Sequence, residues 1–68
     1  MTLRDLTNQF EIQGAFCIKR WIDKHDYYEI LAQGTDFECE RWKFNEVIWD
    51  MPITYMYAVD GVLNIEVE

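Results

Sequence analysis

Tyr55, Tyr57, Asn64, Glu66 and Glu68 are the residues whose types and spacing point most directly to surface chemistry in this 68-residue chain. Tyrosines two positions apart share one face of a strand, and so do Asn64, Glu66 and Glu68. Asp60-Gly61 between the two runs predicts a two-residue hairpin turn. That turn pairs Val59 with Val62, Tyr57 with Asn64, Tyr55 with Glu66 and Ile53 with Glu68. Rigid amphipathic rings beside carboxylates suit binding to a basic protein surface. Asp50, just upstream, extends the acidic set.

Bond-making chemistry is poorly supported. The chain has no serine, one histidine (His25) in a predicted turn, and two cysteines far apart in sequence, Cys17 and Cys39. Neither cysteine has the close partners of a zinc or redox motif, so both are expected to be reduced and buried as small hydrophobes. The three glycines are isolated, so no phosphate-cradling loop exists. Asp36, Glu38 and Glu40 would share one face of an extended segment. Three such carboxylates could hold Mg²⁺ or Ca²⁺, or stand in for spaced phosphates. No ligand loop accompanies them, and a charged edge strand that resists edge pairing is the favoured reading. No metal or cofactor is expected, and no enzymatic activity.

The elements that must position these residues follow from patterning. Thr2 can cap a short N-terminal helix with Asp5 three residues on, and Leu3, Leu6 and Phe10 fall on one helical face. Residues 15–22 and 27–33 read as a hairpin across Asp23-Lys24-His25-Asp26. The register that pairs Ile22 with Tyr27 also sets Trp21 against Tyr28, Arg20 against Glu29 and Ile18 against Leu31. Residues 37–42 alternate weakly, as in a short strand. Asn45 can cap one helical turn near residues 45–50, with Phe44 and Trp49 as a hydrophobic staple and Pro52 ending it. In the closing hairpin, Met56, Ala58, Leu63, Ile65 and Val67 form the apolar face and are the expected core residues. The expected fold is α+β: one domain over residues 1–68, with the helix packed on an antiparallel sheet of about four strands in two hairpins.

Composition limits the function classes. Half of the residues are apolar and 16% are aromatic, which favours a folded domain over a disordered chain despite a net charge of −7. Residues 1–43 hold eight acids and all six bases, whereas residues 44–68 hold five acids and no base. Such a half repels phosphate backbones and attracts basic surfaces. Direct nucleic-acid binding is therefore disfavoured; it would have to use a local patch of Lys19, Arg20, Lys24, Arg41 and Lys43 with Trp21 and Trp42 stacking on bases. In that alternative, Lys19 and Trp21 share one strand face and Arg41 and Lys43 another. A third reading is a self-assembling accessory protein, a homodimer through an edge strand or the tyrosine face. No apolar run is long enough to cross a membrane and no signal peptide is evident, so a cytoplasmic setting is expected.

The segment from Tyr55 to Glu68, with Asp36-Phe-Glu-Cys-Glu40 and Phe10-Glu-Ile-Gln-Gly14 upstream, resembles small uncharacterised proteins of Firmicutes phages and prophages. The resemblance implies a mobile-element origin and the cytoplasm of a bacterial host. It carries no functional motif. By analogy of size, charge and context, it suggests an anti-defence inhibitor of the anti-CRISPR kind, whose partner would be the basic surface of a nucleic-acid-binding host protein such as a nuclease.

Overall fold

In the computed structural model, which describes residues 1–68, Thr2 caps helix α1 (Leu3–Gln9) through a reciprocal capping box with Asp5. The Thr2 hydroxyl accepts from the Asp5 amide at 3.2 Å, and the Asp5 carboxylate accepts from the Thr2 amide at 3.1 Å. Leu3 and Leu6 are buried as their spacing predicts. Phe10 is not, because the helix stops one residue earlier and Phe10 is extended. Ile12, in the segment leading away from the helix, fills the core instead.

Strand β1 (Ala15–Ile22) and strand β2 (Tyr27–Gly34) form the first hairpin. Asp26 takes the left-handed conformation that closes its loop, which aspartate tolerates better than most residues. The expected pairs Ile22–Tyr27, Trp21–Tyr28 and Arg20–Glu29 are present. A bulge then shifts the register, so Ile18 faces Ala32 rather than Leu31.

Residues 37–42 are helical, not extended. Asp36 caps helix α2 (Phe37–Glu40), a 3₁₀ turn follows at Arg41–Lys43, and Asn45 caps helix α3 (Glu46–Trp49). The caps outweigh the weak alternation: the side chains of Asp36 and Asn45 accept from the Cys39 and Val47 amides. Phe44 and Trp49 meet as the expected staple, with ring centroids 5.8 Å apart.

Strand β3 (Ile53–Val59) and strand β4 (Val62–Val67) form the closing hairpin. Asp60 and Gly61 both have positive φ, as a two-residue primed turn requires. The pairs Val59–Val62, Tyr57–Asn64 and Tyr55–Glu66 agree with the sequence register. A bulge at Thr54 pairs Ile53 with Val67 instead of Glu68.

The two hairpins join differently from expectation. The sheet is mixed, in the order β2-β1-β4-β3, and β1 pairs with β4 in parallel. Residues 35–52 supply the cause. β2 ends at the level where β1 begins, and the helical turns of this segment carry the chain over one face to the level where β1 ends; β3 starts there, and β4 returns parallel to β1. Strands that run in the same direction, as β2 and β3 do, need a crossover of about this length.

The helices cover one face of the two central strands. Phe16 and Ile18 of β1 and Ile65 and Val67 of β4 are buried there against Leu3, Leu6, Ile12, Phe37 and Ile48. Phe16, Phe37 and Phe44 form the aromatic centre, with centroids 5.3–5.6 Å apart. Ile65, Val67 and partly buried Leu63 occupy the expected core positions, but Met56 and Ala58 do not. They lie on the edge strand β3, beyond the reach of the helices, and Met56 is 48% exposed.

Ile65→Ala should cost about 2–5 kcal/mol of unfolding free energy, because a fully buried side chain is lost and leaves a cavity. Met56→Ala should cost less than about 1 kcal/mol. Urea unfolding of both variants checks this; equal losses would contradict the one-sided core.

Candidate interaction surface

The parallel pairing of β1 with β4 brings two separately expected residue sets onto one face. Alternation along β1 places Cys17, Lys19 and Trp21 on the face that the helices leave open. Lys19 lies beside Glu66 and Cys17 beside Asn64 across the parallel pair. Tyr55 and Tyr57 continue the face on β3, and Tyr28 and Ile30 on β2. Trp21, Tyr28, Tyr55 and Tyr57 are all exposed, and Tyr55 reaches 66%.

Glu66 sits at the middle of this face and is the only buried charged residue, 8% exposed. Its carboxylate accepts from the Tyr57 hydroxyl at 2.7 Å and from the Tyr28 hydroxyl at 3.1 Å. Both oxygens are thereby satisfied, which offsets much of the cost of withdrawing a carboxylate from water. Lys19 lies above this pair, 4.7 Å from the Tyr28 ring centroid and 5.5 Å from that of Tyr57. Its ammonium donates to the Asn64 side-chain oxygen at 3.2 Å. Trp21 stands edge-on to Tyr28 at 5.0 Å.

The electrostatics of the cluster are mutually consistent. Donation to Glu66 is the main cause that raises Tyr28 above the ordinary tyrosine range, and burial adds to it. Lys19 is raised as well, chiefly by Tyr57, with the Glu66 charge adding and burial opposing. At neutral pH the Tyr28 phenol thus stays protonated as a donor and the lysine stays charged.

Beside the cluster, Trp21, Tyr28, Thr54, Tyr55, Glu66, Val67, Asp23 and Glu68 line an open groove of about 780 Å³. Asp23 and Glu68 are exposed at its rim. The groove is therefore aromatic on its floor and acidic at its edge.

Other expected site residues lie elsewhere. Asp50 belongs to the helical layer, where Arg4 of α1 donates to it at 2.9 Å. It is not part of the tyrosine face. Asp36, Glu38 and Glu40 do not form a strip, because their segment is helical. Asp36 caps α2, Glu38 pairs with Arg41 at 3.4 Å, and Glu40 folds back to accept from the Thr35 and Asp36 amides. Gly34 leaves room for that carboxylate, since a Cβ there would collide with it. No three acidic, histidine or cysteine side chains converge as a metal site would require.

Arg41 and Lys43 likewise share no strand face with each other and no surface with Lys19 and Trp21. Arg41 is spent in packing, its guanidinium 5.1 Å from the ring centroids of both Trp42 and Trp49. Cys17 and Cys39 are free, and Cys39 is exposed rather than buried. Its thiol is pushed above the usual range by hydrogen bonding to Asp36, with nearby Glu40 and Glu38 adding, which disfavours a reactive thiolate. Tyr28 is the residue of the cluster that sequence reasoning missed. The Trp21–Tyr28 pair was legible, but its proximity to Glu66 depends on the pairing of the two hairpins.

The fold and this surface define a small α+β domain whose mixed sheet is covered on one face and open on the other. No helix is long and apolar enough to cross a membrane. Family models, curated proteins and solved structures give no match to the chain.

Because Tyr28 is raised in the folded state, its stabilising effect is fully present below the ordinary tyrosine value of 10.0 and is lost as pH rises through the folded value. Tyr28→Phe should therefore flatten the alkaline fall in Tm. Tyr57→Phe, which removes the shortest bond to Glu66, should cost about 1–2 kcal/mol at neutral pH. Thermal unfolding at neutral and alkaline pH checks both. An alkaline limb unchanged in Tyr28→Phe would contradict the first.

Proposed function

We propose that the chain is a non-enzymatic binding module that docks another protein on the open face of its sheet. The observation that carries this reading is the gathering of Trp21, Tyr28, Tyr55 and Tyr57, all exposed, on the uncovered face. Rigid aromatic side chains supply binding energy at little entropic cost, and they concentrate at the centres of protein interfaces. Asp23 and Glu68 at the rim, in a chain of net charge −7, favour a basic partner.

The finer form of the proposal is a phage-encoded inhibitor that occupies the nucleic-acid channel of a host defence nuclease in the bacterial cytoplasm. Rim carboxylates would take the places of phosphates, and exposed rings those of stacked bases. The acidic balance supports this, as does the resemblance of residues 55–68 to phage and prophage proteins.

One observation favours a second reading. Aromatic rings on an open sheet also form the stacking platform of single-strand binding domains. Against it, Lys19 is the lone cation of the face and is engaged with Asn64 and two rings.

The test is capture from the lysate of a bacterial host, using immobilised wild type, Trp21→Ala/Tyr55→Ala and Asp23→Lys/Glu68→Lys. A basic nucleic-acid-binding protein should be retained by the wild type, lost with both double variants and released by salt. Identical capture by all three would overturn the proposal. A mobility shift of single-stranded DNA at physiological salt would favour the platform instead.

A further inference from the structure

We propose that β3 is a self-association strand: two copies pair their β3 edges antiparallel and continue the sheet to eight strands. The inference stands independently of the partner proposed for the open face.

A four-stranded sheet has two edges, here β2 and β3. Soluble proteins protect such edges with charge, proline, bulges or cover. β2 is protected: it carries Glu29, is bulged at Leu31, and follows the charged loop Asp23-Lys24-His25-Asp26. β3 is protected only at its ends, by Pro52 and the bulge at Thr54 on one side and by Asp60 on the other; residues 55–59 carry no charge, proline or bulge, and residues 54–59 are all exposed. Only its first residue is covered, where the Ile53 amide donates to the Met1 carbonyl at 2.7 Å.

Backbone bonding directions select the register. Residues flanking a two-residue hairpin turn bond to each other, and bonding alternates along the strand. Val59, Tyr57 and Tyr55 therefore bond inward to β4, and Met56 and Ala58 present their amide and carbonyl groups outward. An antiparallel pair centred on Tyr57 sets Met56 of one copy against Ala58 of the other, and the reverse, with about four backbone bonds exchanged. The same register matches side chains. A large Met lies opposite a small Ala on one face, and Tyr57 meets its own symmetry mate on the other.

Self-complementarity of residues 56–58 argues for a second copy of this chain over an unrelated strand. Two copies each carry −7, and their mutual repulsion would forbid most surfaces. The longest exposed strand segment free of charge is the one whose own sequence complements it. With the two-fold axis perpendicular to the sheet, both open faces lie on the same side. The dimer then presents two Glu66-centred clusters as one continuous surface.

Sedimentation velocity from roughly 10 µM to 1 mM tests this, at low and high salt. The wild type should show a monomer–dimer equilibrium that tightens with salt, as repulsion between like-charged copies is screened. Ala58→Pro removes an outward amide without touching the bonds to β4, and Ala58→Lys places a cation inside the joint. Each should weaken the dimer by roughly tenfold or more while leaving the circular dichroism of the monomer unchanged. Amide exchange gives a readout that needs no variant: Met56 and Ala58 should gain protection with concentration. A wild type that stays monomeric to the top of the range would overturn the proposal, and so would a dimer that shows no such protection or is indifferent to both substitutions.

Discussion

Two hairpins that are each antiparallel meet through a parallel pair, β1 with β4, and the remaining architecture depends on that contact. It makes β1 and β4 the central strands, so Phe16, Ile18, Ile65 and Val67 become the floor of the core. It places Lys19 beside Glu66 and brings Tyr28 of the first hairpin within hydrogen-bonding distance of a carboxylate of the second. It also leaves β2 and β3 as edges. An antiparallel junction in the same strand order would reverse β4 relative to β1 and separate Lys19 from Glu66.

Size explains why the sheet is covered on only one face. A chain of this length buries roughly 60% of the surface its unfolded form exposes, and its helices are short. The helices cover the middle of one face and no more. The other face must satisfy its own polar groups, and it does so around Glu66 with two phenols, while Asn64 takes up the Lys19 ammonium. The same economy leaves four aromatic rings in water on one side of the sheet. Those rings are the ground on which the binding proposal rests.

Local features were legible in the sequence and non-local ones were not. Thr2 with Asp5, Asn45 with its staple, and Asp60-Gly61 carry their geometry in a few adjacent residues. The register of each hairpin followed from cross-strand pairs, apart from the bulges at Leu31 and Thr54, which no short-range signal marks. Residues 37–42 alternate weakly, as a strand would, but the Asp36 cap settles them as helix. Met56 and Ala58 were misplaced for a different reason. Alternation assigns a residue to a face but cannot say whether a helix reaches that part of the face. Half of the candidate site was visible as the Tyr55, Tyr57, Asn64 and Glu66 face. Lys19 and Trp21 were visible as a separate set, and their union with it required the parallel pair. Asp50 is engaged by Arg4 in the helical layer, and Arg41 and Lys43 share no strand face because their segment is helical.

The most direct measurement is the pattern of proton–proton contacts between β1 and β4 in solution by NMR. The structure predicts the parallel pattern from Ala15 opposite Val62 through Arg20 opposite Val67, together with contacts from the Tyr28 ring to the Glu66 side chain. Antiparallel contacts between these strands, or a Tyr28 ring without contact to β4, would contradict both the topology and the interaction surface built on it.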